Sequence, residues 1–171
     1  LNLQKLGKLN QASKIYDYLI INNFVKEEVL LNYANICQQS NKNDKAISLY
    51  KEAIKINPKN FLPFFKMGFI LNNNGRYFEA YPFAKKTIEL EPKLWQGFHN
   101  LIKILRNLNR PHEAIEITKN ATKKFTKNHL FSGLLADIYS EIGNFEYAEK
   151  NYEKAIALAP QDDETIYGYV N

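Results

Sequence analysis

At 171 residues with 45% apolar and 24% charged side chains, the chain can bury a substantial core without disulfides or metals. Its one cysteine, Cys37, excludes an internal disulfide and argues against a thiolate metal site. A formal charge of +5, spread along the chain in pairs such as Lys85-Lys86 and Lys123-Lys124, weakly favours acidic partners. No apolar run approaches the roughly 20 residues needed to cross a bilayer, and LNLQKLGKLNQ has no signal-peptide core, so a cytoplasmic location without a membrane partner is expected.

From the N-terminus, residues 1–26 read as the end of one helix and a full second one, with Gly7 at the turn and Ala12 on the packed face. In the next segment Leu30, Tyr33, Ala34 and Cys37 fall at i, i+3, i+4, i+7, one face of a helix. Asn41 then supplies a residue that tolerates the left-handed helix-closing conformation. A second helix follows around Ala46, Tyr50 and Ala53, and Pro58 ends it.

The same order returns with Phe64, Met67, Gly68 and Leu71, then Gly75, then a helix from Tyr77 to Glu89 around Ala80, then Pro92. Pro82 lies inside that helix, where it removes a backbone hydrogen bond and crowds the preceding turn. A bend or a late helix start is therefore expected, with the proline turned away from the paired helix. A further round holds Phe98, Leu101, Ile102 and Leu105, then Asn109, then Ala114, Thr118 and Ala121, with Thr126 where a proline would stand. The last full round has Leu135, Ala136, Tyr139, Gly143, Ala148, Tyr152, Ala155 and Pro160. Ile166, Tyr169 and Val170 then open another first helix, with Asp162, Asp163 and Glu164 suited to cap it.

Ala12, Ala46, Ala80, Ala114 and Ala148 stand 34 residues apart, so the period runs the length of the chain. No segment alternates with period two, and no strand is expected. This pattern resembles the tetratricopeptide repeat (TPR), a 34-residue helix-turn-helix unit. The resemblance implies an all-α fold: a right-handed α-solenoid of antiparallel helix pairs, read as a single solenoid over 1–171. Whole units would cover 27–60, 61–94, 95–128 and 129–162, with partial ones at 1–26 and 163–171. Without polar capping helices, the piece reads as an excerpt of a longer protein that self-associates through its ends.

The resemblance also puts first helices on a concave wall. With each unit numbered from its first residue, positions 2, 5, 9 and 12 lie about 130° from the core positions 4, 7, 8 and 11 and line that groove. Position 6 carries the amide ladder of O-linked N-acetylglucosamine transferases, which Asn32 and Asn100 match while Lys66 and Leu134 do not. The candidate groove residues are Asn32, Asn35, Phe65, Phe69, Asn72, His99, Asn100, Lys103, Arg106 and Asp137. Phe65 and Phe69 either anchor a partner side chain or pack on the neighbouring repeat. Lys103 and Arg106, flanked by His99, either receive a carboxylate or phosphate or form a solvated basic face. The family's carboxylate clamp is not matched, since its five places hold Leu31, Asn35, Lys66, Gln96 and Asn100, or Phe65, Phe69, Asn100, Leu130 and Leu134.

His99, His112 and His129 fall in different repeats and form no metal motif, and no nucleophile stands with a base at readable spacing. No cofactor, metal or catalytic residue is expected. The function read from the sequence is a non-catalytic scaffold binding a protein or peptide segment. Its alternative is the substrate-recruiting arm of a larger enzyme such as a glycosyltransferase, sulfotransferase or oxygenase. Single-stranded RNA binding through basic and aromatic groove residues is a third and weaker reading.

Overall fold

The computed structural model describes residues 8–161. Among them are nine α-helices and no strand: α1 (Leu9–Ile21), α2 (Glu27–Gln39), α3 (Asn43–Ile56), α4 (Phe61–Asn73), α5 (Tyr77–Leu90), α6 (Trp95–Asn107), α7 (Pro111–Lys124), α8 (His129–Glu141) and α9 (Phe145–Leu158). The chain is an all-α solenoid of helix pairs, and the period is visible in the helix bounds. The first helices α2, α4, α6 and α8 start 34 residues apart, and so do the second helices α3, α5, α7 and α9. Gly7 and the residues read above as a further helix and its caps (Asp162, Asp163, Glu164, Ile166, Tyr169, Val170) lie outside the described residues.

Two compact units divide between Glu91 and Pro92. The first contains α1 to α5, in which α2 packs on α1 and α3, and α4 on α3 and α5. The second contains α6 to α9, with α7 packed on α6 and α8, and α9 on α8. In both, the residues at the i, i+3, i+4, i+7 positions form the core. Leu30, Tyr33, Ala34, Cys37, Met67 and Leu71 are buried in the first unit, and Phe98, Leu101, Ile102, Leu105, Leu135, Ala136 and Tyr139 in the second. Phe64 is half-buried instead, with its ring 6.5 Å from that of Phe83. Ala12, Ala46, Ala80, Ala114 and Ala148 are all buried on second helices, where a larger side chain would hold the helices apart.

The turn from first to second helix has one solution, used four times. Asn41, Gly75, Asn109 and Gly143 all have positive φ, between 54° and 78°. At each, the residue after donates its N–H back five positions (Lys42 to Cys37, Arg76 to Leu71, Arg110 to Leu105, Asn144 to Tyr139), and the turn residue itself donates three positions back. This double bond pattern satisfies carbonyls that the helix end leaves open. A Cβ added at Gly75 meets nothing within 4 Å, so Gly75→Ala carries only the backbone cost of the left-handed region, about 1–2 kcal/mol. Thermal denaturation should show a midpoint lowered by roughly 2–8 °C. Gly75→Asn should lose less, because asparagine already holds the equivalent place at Asn41 and Asn109.

Proline explains less of the helix ends than the sequence suggests. Helices α3, α5 and α9 end two residues before Pro58, Pro92 and Pro160, but α7 ends at the matching place before Thr126. The late start expected from Pro82 is not found, because α5 begins at Tyr77, in register with the other second helices. Pro82 is exposed, as is Phe78, whose carbonyl loses its partner to the missing N–H. Water can take that carbonyl, so the helix closes around the proline without shifting its first turn.

Candidate functional site

On the first-helix faces of both units, position 9 is the most informative place. It holds Asn35 on α2, Phe69 on α4, Lys103 on α6 and Asp137 on α8. Asn35 and Asp137 are tied from behind by second-helix tyrosines at position 24. Tyr50 Oη donates to Asn35 Oδ1 at 2.8 Å, and Tyr152 Oη donates to Asp137 Oδ1 at 2.8 Å. Both hydroxyls have raised pKa values, first through burial, and in Tyr152 also through the hydrogen bond to the carboxylate.

The two middle positions lack this tie. Position 24 is Ala84 behind Phe69, and Thr118 behind Lys103, where the threonine hydroxyl donates to the Ala114 carbonyl of its own helix. Phe69 is accordingly 42% exposed, and Lys103 is also exposed. In the first unit Phe69 lies 6.4 Å from the half-buried Phe65, ring centroid to ring centroid. Asn72 is half-buried one turn beyond Phe69 on α4, and Asn32 and Asn35 are half-buried on α2. An aromatic pair can take an apolar side chain, and amides can pair with peptide N–H and C=O groups.

The second unit departs from the expected basic step. Arg106 reaches Asp137 Oδ2 at 3.4 Å and also donates to Glu141. Burial works against its charge, but those two carboxylates more than offset it and hold the guanidinium protonated. Arg106 is therefore compensated within its own unit and is no open receptor for an outside anion. Lys103 enters no salt bridge among the described residues, and His99 stands edge-on to Trp95 at 6.3 Å. Asn100 is only 5% exposed, so its amide offers a partner little surface. The partial amide ladder is thus shortened to Asn32.

The turn between α7 and α8 carries none of the groove residues expected from the sequence. There Trp95, Lys124, Phe125, Thr126, Lys127, Asn128 and His129 line an open cleft of about 450 Å³. The positive charge is also less evenly spread than expected: residues 117–136 carry Lys119, Lys123, Lys124 and Lys127 and no acidic residue, within a chain of net charge +5. That acid-free window was the available signal. Among the described residues no group of three or more His, Cys, Asp or Glu is placed to hold a metal, and no helix is long and apolar enough to cross a membrane.

Comparison with known proteins agrees with this architecture. A family model described as TPR repeat matches residues 34–75, and one described as tetratricopeptide repeat matches residues 132–162. No curated protein matches the sequence. Among solved structures, YrrB, described as a TPR protein with an unusual peptide-binding site, superposes with a TM-score of 0.87 at 17% identity, over 99% of this chain and 87% of that one. A crystal structure of MamA superposes at 0.86 with 14% identity over 94% of each chain. MamA MSR-1 gives 0.78 at 22% identity, over 94% of this chain and 92% of that one. At these identities the likeness is one of fold.

Proposed function

Because the chain belongs to the tetratricopeptide-repeat family, we propose that it is a non-catalytic scaffold that binds a segment of a partner protein on its first-helix faces. The observation that supports this most directly is Phe69. It is a large aromatic side chain at 42% exposure, released by Ala84 from the tyrosine tie that fixes Asn35 and Asp137, and set beside Phe65. Aromatic side chains, phenylalanine among them, are enriched at protein interfaces, where a few such anchors carry most of the binding energy. Half-buried amides at Asn32 and Asn35 on α2 and at Asn72 on α4 can add polar contacts to a peptide, and Lys103 supplies an exposed cation on a first helix of the second unit.

Selection from a displayed random-peptide library against the whole chain tests this reading. Peptides carrying an apolar anchor residue should be enriched on the wild type. Phe69→Ala should weaken their binding at least tenfold, while the melting temperature moves by no more than about 2 °C, as expected of a surface substitution. No enrichment, or full binding by the variant, refutes the assignment of Phe69. A fall in stability of several kcal/mol would place Phe69 in the core.

A further inference from the structure

The cleft between α7 and α8 contains none of the residues assigned above. Three other second-to-first turns place Asn57-Pro58, Glu91-Pro92 and Ala159-Pro160 where this one has Phe125-Thr126, and the turn between α1 and α2, with Asn23-Phe24, shares the lack of a proline. The Phe125 ring stands edge-on to Phe98 and stacks on Phe131, each at 5.4 Å, so an aromatic floor is fixed from below. Phe125 and Trp95 both remain half-exposed. Lys124 and Lys127 are exposed at the rim and enter no salt bridge among the described residues, and Lys124 Nζ lies 5.5 Å from the Phe98 ring centroid. No carboxylate lines the cleft.

An aromatic floor with a lysine rim and no acid selects an anionic ligand that carries a flat apolar group. We propose that this cleft is a second peptide site, for an acidic segment with an aromatic residue. The ring would lie against Trp95 and Phe125, and the flanking carboxylates would pair with Lys124 and Lys127. The cleft, about 450 Å³ and open to solvent, has room for one such side chain laid across its floor. The rim cations gather at one point instead of tracking along a surface as a phosphate backbone requires, which favours a peptide over a nucleic acid.

Trp95 is the only tryptophan in the chain and reports occupancy directly. Titration of the intact protein with a blocked Glu-Glu-Phe-Glu-Glu peptide should shift its emission saturably, with an affinity that falls as salt rises. The double variant Lys124→Glu, Lys127→Glu should bind at least tenfold more weakly with an unchanged helical circular dichroism spectrum. Phe69→Ala should leave the Trp95 response and its midpoint unchanged, whatever it does to binding at the first-helix face, which separates this site from the one above. Unmoved emission, an equal response to Glu-Glu-Ala-Glu-Glu or Lys-Lys-Phe-Lys-Lys, or tighter binding of an oligouridylate would each overturn the proposal.

Discussion

Replacing Phe131 by alanine should cost about 3–5 kcal/mol, the largest loss expected from any single substitution considered. Phe131 is fully buried on α8 and stacks on Phe125, which in turn meets Phe98 on α6. Truncation removes the contacts of one ring and takes the support from a second, and a helix turn cannot collapse far enough to refill the space. The melting midpoint should fall by roughly 6–20 °C. Hydrogen exchange should quicken chiefly between residues 92 and 161, because the helices pack mainly on those next to them in the chain. A loss below about 1 kcal/mol would mean that the three rings do not share one packed column.

Pro82→Ala should act in the opposite direction. A proline in a helix interior costs about 3 kcal/mol relative to alanine, through a missing N–H and a clash with the preceding turn. Here α5 runs unbroken from Tyr77 to Leu90 with the proline on its exposed side, so no partner contact is given up when it is replaced. Water can reach the exposed Phe78 and relieve part of the cost, and proline also restricts the unfolded chain. The expected gain is therefore about 1–3 kcal/mol, read as a midpoint raised by roughly 2–12 °C. An unchanged or lowered midpoint would show that the helix has adapted its geometry to the ring.

How much of this could be read from the sequence depended on whether a feature is local or lies between repeats. The 34-residue alanine row, the Asn and Gly turns and the core positions follow from periodicity and from backbone preferences of single residue types, and they appear where expected. The late start expected from Pro82 does not occur, because the helix start is fixed by the turn at Gly75 and by the packing of Ala80. Arg106 and Asp137 were both placed on the same face, but as separate features. Positions 12 and 9 of consecutive first helices lie side by side, and a pairing across 31 residues is invisible to any window one helix long. Asn100 was judged on residue type alone, and the depth of position 6 in its unit removed it from the surface. The cleft beside Trp95 needed two helix starts and a turn to be brought together, although the acid-free run of lysines marked its neighbourhood.

The nearest-neighbour packing of the helices has a kinetic consequence. The bond from Arg106 to Glu141 reaches 35 residues, about one repeat, and joins two consecutive first helices. A chain assembled from contacts of that range has little loop-closure entropy to overcome, a property that favours fast folding. Any helix pair can serve as the nucleus, with growth proceeding in either direction along the sequence. Substitutions far from a chosen nucleus would then leave the refolding rate untouched and register only in how quickly the native state comes apart.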